Sequence, residues 1–480
     1  MRTAYTADQI RAAEQALIPT LPHLTLMKRA AAGLATVCAT QLGRVYGSRV
    51  ALLVGSGANG GDALFAGVQL LKRGAKVAAV LASERQHLHG LEAFLNAGGD
   101  MTRTIVPADL LVDGLLGTGA SGRLRGPYER LAEDANARGL PIVAVDVPSG
   151  VDASTGRVEG VAIRADVTVT MGAIKTGLLV DPGAEWVGEL EVVDIGLGPY
   201  LPDPDIAMLT REDVDGLLPR PVAESDKYRR GVLGVAAGSQ KYTGAAVLAV
   251  GGALRAGAGM VRYIGPAAPV AQVRGYWPEA VITELEEPSL EGVGRVQAWV
   301  LGPGFGTDDW SHELARHVLA TNVPVLLDAD ALTLVAKDRS LLSRKAPVLI
   351  TPHAGELARL LDADRDAIEE SRLEYARRAA EELGVTVLLK GSTTVVAERG
   401  RPVRVNETGT PWLATGGTGD VLSGIAGSLL AQGLDCYEAG SCGAYLHGLA
   451  GRLASRGAPL TSADVVRMIP DAIRETRSTT

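Results

Sequence analysis

The sequence predicts two α/β domains in tandem, each a parallel sheet wrapped by helices. Three observations carry this reading. Short apolar runs alternate with segments of helical period, and they fall into two series separated by a proline-rich stretch. Glycine reaches 59 of 480 residues without a G-X-Y period, which suits many tight turns and backbone-approach loops. The length accommodates two or three domains, and 46% hydrophobic with 21% charged residues is the balance of a globular chain. Aromatics are only 4%, so the cores must be built from Val, Leu, Ile and Ala.

The first series spans residues 50–169. Its apolar runs are VALLVG, KVAAVLA, DLLVDGLLG, PIVAVDVPSG and ADVTVT, with helical period over 62–72 and 128–138. In GPYLPDP (198–204) three prolines fall within six residues, with Pro219 and Pro221 close behind, so the domains are expected at 1–205 and 206–480. The second series is GVLGVAAG, QAWVLGPG, VPVLLDAD, APVLITPH and VTVLLKGS, with helices expected over 366–383 and from about Val421 to Gln432, the latter amphipathic. The halves are not copies of each other.

A formal charge of -8 with scattered Lys and Arg gives no footprint for nucleic acid. Cys38, Cys436 and Cys442 form no C-x-x-C, which excludes a disulfide framework or zinc knuckle and leaves them as core residues. The N-terminus shows no signal pattern, and the longest apolar stretch, 244–254, is too short to span a bilayer, so no membrane role and a cytoplasmic location are expected.

GSGANGGDA (55–63) follows a strand and opens a helix, and Gly55, Gly57 and Gly60 satisfy G-x-G-x-x-G. An ordinary dinucleotide loop fits poorly. The acid expected after the next strand arrives late, at Glu84. Asp62 also stands in the loop, and a carboxylate about 5 Å from a phosphate at an effective dielectric near 20 is repelled by roughly 3 kcal/mol. The helix N-terminus returns only about 0.3–1 kcal/mol to that anion. The loop therefore suits hydroxyls or a cation, the alternative being a plain helix cap at Asn59 or Asp62. Asp113, Asp146 with Ser149, and Lys175 end three further strand segments, and in an open parallel sheet such loops converge outside the carboxyl ends of the strands. Asn59, Asp113 and Ser149 offer only oxygen, which suits a hard cation, while Asp146 suits proton transfer.

GSGANGGD, DGLLGTGASGR and DVPSGVDASTG, in this order, resemble the YjeF N-terminal domain, the NAD(P)H-hydrate epimerase family, whose fold is Rossmann-like. The resemblance implies that Ala58, Asn59, Gly60, Gly61 and Asp62, then Gly117, Thr118, Gly119, Ala120, Ser121, Gly122 and Arg123, with Tyr128 and Asp146, touch the hydrated nucleotide. It implies potassium on Asn59, Asp113 and Ser149, with Asp146 as the proton-transfer residue and Lys175 as its helper.

The second glycine loop, NETGTPWLATGGTGDVLSG, is the strongest signal in the chain. Gly416, Gly417 and Gly419 precede a helix, so their N–H groups and the helix dipole form an anion hole with the Asp420 carboxylate beside it. A base next to an anion hole is what phosphoryl transfer to an alcohol needs. The alternative is Thr418 or Asp420 as a simple cap, and no G-x-x-x-x-G-K-[ST] is present. His353 and Glu356 in ITPHAGE, Asp328 and Asp330 in LLDADAL, and the LLKGSTT segment also follow strands. Glu356 or one of these Asp residues is expected to place magnesium through water.

These segments, with GSQKYTGAAVLA and LGPGFG, resemble the ribokinase-like YjeF C-terminal family of NAD(P)H-hydrate dehydratases. The resemblance implies that Ala245, Gly304, His353 and Asp420 contact the hydrated substrate. It places the adenine nucleotide on Lys390, Gly391, Ser392, Thr393, Thr394 and Gly419. Both patterns in one chain resemble the bacterial bifunctional NAD(P)H-hydrate repair enzymes, which implies epimerisation of NADHX and NADPHX followed by ADP-dependent dehydration of the S epimer, with AMP and phosphate released. A homo-oligomer is also expected. The alternative reading is an ATP-dependent small-molecule kinase joined to a non-catalytic N-terminal module.

Overall fold

The computed structural model describes residues 1–477, which divide into two compact units, Thr3–Ile206 and Ala207 onward with Met1–Arg2. In the N-terminal unit the order is β1 (Arg2–Tyr5), α1 (Ala7–Leu17), α2 (Thr25–Leu42), β2 (Arg49–Val54), α3 (Ala58–Lys72), β3 (Lys76–Leu81), α4 (Leu88–Asn96), β4 (Asp100–Thr102), β5 (Leu110–Gly114), α5 (Pro127–Ala137), β6 (Ile142–Val145), β7 (Val167–Met171), β8 (Ile174–Lys175) and β9 (Glu189–Val193). Seven of these strands form a parallel sheet in the order β4-β3-β2-β5-β6-β7-β9. Strand β2 shows why the layers form. Val50, Leu52 and Val54 join one buried cluster with residues of α1, α2 and α3, while Ala51 and Leu53 join another with residues of α5. Alternate side chains feed opposite faces, so the run is apolar throughout and the unit has three layers.

The C-terminal unit runs β10 (Ile206–Met208), α6 (Arg211–Leu217), β11 (Val232–Ala236), α7 (Thr243–Arg255), β12 (Met260–Gly265), α8 (Ala267–Tyr276), β13 (Val281–Glu284), β14 (Ala298–Leu301), α9 (Asp309–Leu319), β15 (Val325–Leu327), α10 (Asp330–Lys337), β16 (Val348–Ile350), α11 (Ala354–Leu361), α12 (Arg365–Glu370), α13 (Arg372–Leu383), β17 (Thr386–Leu389), β18 (Thr394–Ala397), β19 (Val403–Asn406), α14 (Thr418–Ala431), α15 (Cys436–Ser455) and α16 (Ser462–Arg477). Its strands lie in the order β13-β12-β11-β14-β15-β16-β17-β18-β19-β10, parallel from β13 to β17 and antiparallel from β17 to β19. The three cysteines are buried and free. Among the described residues no helix is long and apolar enough to cross a membrane.

Two expectations about helices are corrected. The stretch expected as one helix over 366–383 breaks at Ser371, whose backbone leaves helical space at φ -140 and ψ 48. Helix α14 begins three residues earlier than expected and is not amphipathic, since almost every residue along it is buried. Glycine permits that burial. A Cβ on Gly424 would stand 2.2 Å from the Ala249 carbonyl oxygen, and one on Gly252 would stand 2.5 Å from that of Val421, so α7 and α14 touch backbone to backbone. Gly424→Val is expected to lower stability by at least about 1–3 kcal/mol, the usual cost of overpacking a filled core. The urea midpoint checks this by tryptophan fluorescence, because Trp277, Trp299, Trp310 and Trp412 all lie in this unit.

Candidate active sites

In the N-terminal unit the turn from β2 into α3 is capped by the extended backbone of Gly57 with no side-chain hydrogen bond, so neither Asn59 nor Asp62 is the helix cap. Both are buried on the first turns instead. Asn59 Nδ2 donates to the carbonyl oxygens of Leu116 and Val145, each at 2.8 Å, which ties the glycine loop to the loops after β5 and β6. Its Oδ1 is left facing Gly117, where a Cβ would lie 2.7 Å away. Asp113 is fully buried at the end of β5 and accepts from the Ser149 hydroxyl (2.7 Å), the Ser149 N–H (2.8 Å) and the Leu115 N–H (3.2 Å). Burial outweighs these bonds and lifts its pKa to about 6.

Asp146 ends β6 in the left-handed region at φ +68, a strained position for a non-glycine residue. One carboxylate oxygen accepts from Lys175 Nζ at 2.5 Å and from the Met171 N–H at 3.1 Å, and the other from the Thr118 hydroxyl. Lys175 is itself buried on β8 and also donates to the Met171 carbonyl at 2.7 Å. Burial alone would raise the Asp146 pKa. The Lys175 ammonium and the hydrogen bonds from Lys175, Thr118 and Met171 together hold it below the usual carboxylate range.

A cavity of about 830 Å³ opens over Asp146 and brings Ala58, Asn59, Asp62, Gly117, Thr118, Gly119 and Ala120 together. Gly60 and Gly61 are buried on α3 outside the lining, and Gly60 packs so closely that a Cβ would stand 2.3 Å from the Gly55 carbonyl oxygen. Ser121, Gly122 and Arg123 are exposed and outside the lining, with Arg123 paired to Glu129 at 2.9 Å. Tyr128 is also outside it, its hydroxyl accepting from the Ser56 N–H at 3.3 Å. Sequence reasoning missed the far wall, formed by Arg11 and Glu14 of α1 and by residues between the first two helices. The signal was Glu14, a carboxylate beside the buried stripe Ala7, Ile10, Ala13 and Leu17.

In the C-terminal unit Gly417, in the left-handed region at φ +88, caps α14 without a side-chain bond, so Thr418 and Asp420 do not cap it either. Asp420 stands on the first turn. Burial, then the Asp328 carboxylate, raises its pKa to about 7, although Lys390 opposes the shift. Lys390 Nζ donates to Asp328 at 2.6 Å and lies 3.9 Å from Glu356, and a Cβ on Gly419 would be 3.4 Å from it. The second Asp328 oxygen accepts from Ser423 of α14 at 2.7 Å, fixing the strand end against the helix that carries Asp420. His353 caps α11, with Nδ1 accepting from the Glu356 N–H and Glu356 answering the His353 N–H at 2.8 Å. Gly304, at φ +57, lies against Ala245 and Tyr242, where its Cβ would meet theirs at 2.8 and 2.7 Å. Asp330 holds the preceding loop through the Gly306 N–H at 2.8 Å.

One residue here was not foreseen. Arg372, freed by the break at Ser371, is buried and donates to the carbonyl oxygens of Lys390 (2.6 Å) and Thr393 (3.1 Å), so it fixes the 390–394 turn from beneath. A Cβ on Gly391 would stand 2.2 Å from the Arg372 guanidinium, so a side chain there would push this support away from the turn.

Residues 23–177 match the family model of the YjeF-related protein N-terminus, and residues 233–471 match that of NAD(P)H-hydrate dehydratase. The bifunctional NAD(P)H-hydrate repair enzyme Nnr of Mycobacterium tuberculosis is 45% identical over 447 residues, covering 92% of this chain and 91% of its own. The chain belongs to the bifunctional NAD(P)H-hydrate repair enzyme family. A relative of the same name in Escherichia coli K12 is 35% identical over 460 residues, covering 93% of this chain and 88% of its own. Among solved structures, the ADP/ATP-dependent NAD(P)H-hydrate dehydratase of Bacillus subtilis, co-crystallised with ATP and Mg2+, is 30% identical at a TM-score of 0.50, over 56% of this chain and 98% of that one. A ribokinase-like superfamily protein of Enterococcus faecalis is 25% identical at a TM-score of 0.52, over 57% of this chain and 98% of its own. The expected fold is therefore the observed one, and the chain is a bifunctional enzyme of the repair family.

Proposed function

We propose that the N-terminal domain interconverts the R and S epimers of NADHX and NADPHX, and that the C-terminal domain dehydrates the S epimer at the expense of ADP, releasing AMP and phosphate. The observation that carries the second half is Asp420, a base with a pKa of about 7 on the first turn of a helix whose glycine loop forms an anion hole. Asp420 takes the proton of the ring hydroxyl as that oxygen bonds to the terminal phosphorus of ADP and AMP departs. The N–H groups of 416–419 receive the developing charge. The ring nitrogen then expels the phosphate, and loss of a proton from the neighbouring carbon restores the ring double bond. His353, Gly304 and Ala245 hold the nicotinamide side, and 390–394 with Gly419 hold the adenine nucleotide.

In the N-terminal domain Asp146 moves the proton and Lys175 keeps it ionised, while 58–62, 117–123 and Tyr128 form the substrate's bed. Asn59, Asp113 and Ser149 fit potassium, because Asp113 is fully buried with hydrogen bonds only from neutral groups and all three offer oxygen. Those three residues would hold the ion, which would supply the positive charge that buried Asp113 lacks. Glu356, which accepts the His353 N–H and lies 3.9 Å from Lys390 Nζ, is the carboxylate that would hold magnesium through water, and the ion would supply charge to the nucleotide phosphates. A homo-oligomer working in the cytoplasm completes the reading.

Phosphorus NMR of the full chain with S-NADHX, magnesium and ADP tests the nucleotide assignment. One AMP and one phosphate for each NADH formed is the expected result. A stable phosphorylated product, formed from ATP alone, would transfer the C-terminal domain to the kinase reading.

A further inference from the structure

The N-terminal cavity holds a carboxyl group for which the family's glycine loops give no use. Glu14 comes from α1, far in sequence from those loops, yet it lines the same cavity as Asp62 and Asp146. Of these three carboxyls Asp146 has the ammonium, with Lys175 Nζ at 2.5 Å. Asp62 is buried, and its Oδ1 has no hydrogen-bond partner. Arg11 also reaches this wall but is half exposed and paired with Asp8, so among the described residues Lys175 is the one buried cation for three carboxyls, and protons stay on the set. Their distribution is legible. Burial and then the Asp146 charge push Glu14 up against the pull of Lys175 and Arg11, and burial, Asp146 and Glu14 push Asp62 well up against Lys175, while Asp146 is held down. Asp62 is buried, whereas Glu14 on the cavity wall is partly exposed, so Glu14 is the carboxyl that can give a proton to a ligand and take one back from solvent. Carboxyl groups whose environments are driven apart in this way divide into an acid and a base.

We propose that Glu14 is a catalytic residue of the epimerase site, the proton donor that works with Asp146 as proton acceptor. The inference rests on the epimerase reading of this domain. The inverted carbon bears a hydroxyl next to the ring nitrogen. Glu14 gives its proton to that hydroxyl, the C–O bond breaks, water leaves, and the nitrogen lone pair forms C=N+. Water then adds to the other face: the new C–O bond forms, Asp146 takes the proton that the water loses, and the C=N+ pair returns to nitrogen. One water leaves and one adds, and the proton passed from Glu14 to Asp146 is returned through solvent.

The test uses the full chain and the purified R epimer, with the fluorescence of Trp186, the tryptophan of the N-terminal unit, as the check that this unit is folded. Glu14→Gln is expected to lower the kcat of epimerisation by about 10²-fold or more with KM changed less than about threefold, and Glu14→Asp to recover part of the loss. In ¹⁸O water the parent is expected to place the label in the ring hydroxyl as it inverts. An unchanged kcat in Glu14→Gln, or a loss confined to KM, would overturn the proposal, as would inversion that keeps the original oxygen. A parent chain that dehydrates the S epimer but never inverts the R epimer would overturn the domain's reading itself, which separates the two failures.

Discussion

Asp420→Asn lowers ADP-dependent dehydration of the S epimer by about 10²- to 10⁴-fold, the usual contribution of a general base, and leaves epimerisation at the parent rate. The substitution keeps the shape of the side chain on the first turn of α14 and removes only its capacity to accept a proton. In the parent, kcat/KM for dehydration rises with pH through about 7, because Asp420 accepts a proton only when ionised and burial with Asp328 raises its pKa to about 7. The same shift fixes the sign for stability. An acid whose folded pKa lies above its unfolded one binds more protons when folded, so between the two values stability falls as pH rises. Asp420→Asn removes that penalty, and the variant is expected to melt no lower than the parent above pH 7. Steady-state rates for the two purified epimers and a melting curve on the same preparation check all three outcomes. Equal loss of both activities would point instead to misfolding.

Lys175→Met is the complementary case. It removes the ammonium 2.5 Å from Asp146 and leaves a buried carboxylate beside Asp62 and Glu14. Breaking a buried pair by deleting one partner costs about 3–5 kcal/mol, and the orphaned Asp146 is expected to take up a proton and cease to act as a base. Epimerisation is lost while the S epimer is still dehydrated. Lys175→Met with Asp146→Asn regains stability without regaining epimerisation, since the neutral pair no longer carries an unmatched charge. Chemical denaturation and R-epimer turnover on the parent, Lys175→Met, Asp146→Asn and the double variant close the cycle. If the double variant were as unstable as the single, the ion pair would not be the cause.

The loops were legible because their chemistry is local. Each of Asp113, Asp146, Asp328, His353 and Lys390 follows an apolar run, and a parallel sheet brings such positions to one edge. What the sequence hid depends on distant contacts. Arg372 looks like a surface residue of a charged helix until the break at Ser371 turns it under the 390–394 turn. The burial of α14 on all sides follows from its glycine contact with α7, more than 150 residues earlier, which no local period reports. The α1 wall of the N-terminal cavity escaped notice because a glutamate on an apolar stripe reads locally as the edge of an amphipathic face. The β18–β19 pair is short and antiparallel after a parallel run, and nothing in its sequence marks that change of direction.

If one chain inverts one epimer and dehydrates the other, reduced-nicotinamide absorbance recovers in full from a mixture of R and S NADHX supplied with ADP, magnesium and potassium. Complete recovery is expected in two phases, the slower of which disappears in Lys175→Met. Recovery that stops at the S share with the unaltered chain would contradict it, leaving a dehydratase joined to a domain without epimerase activity.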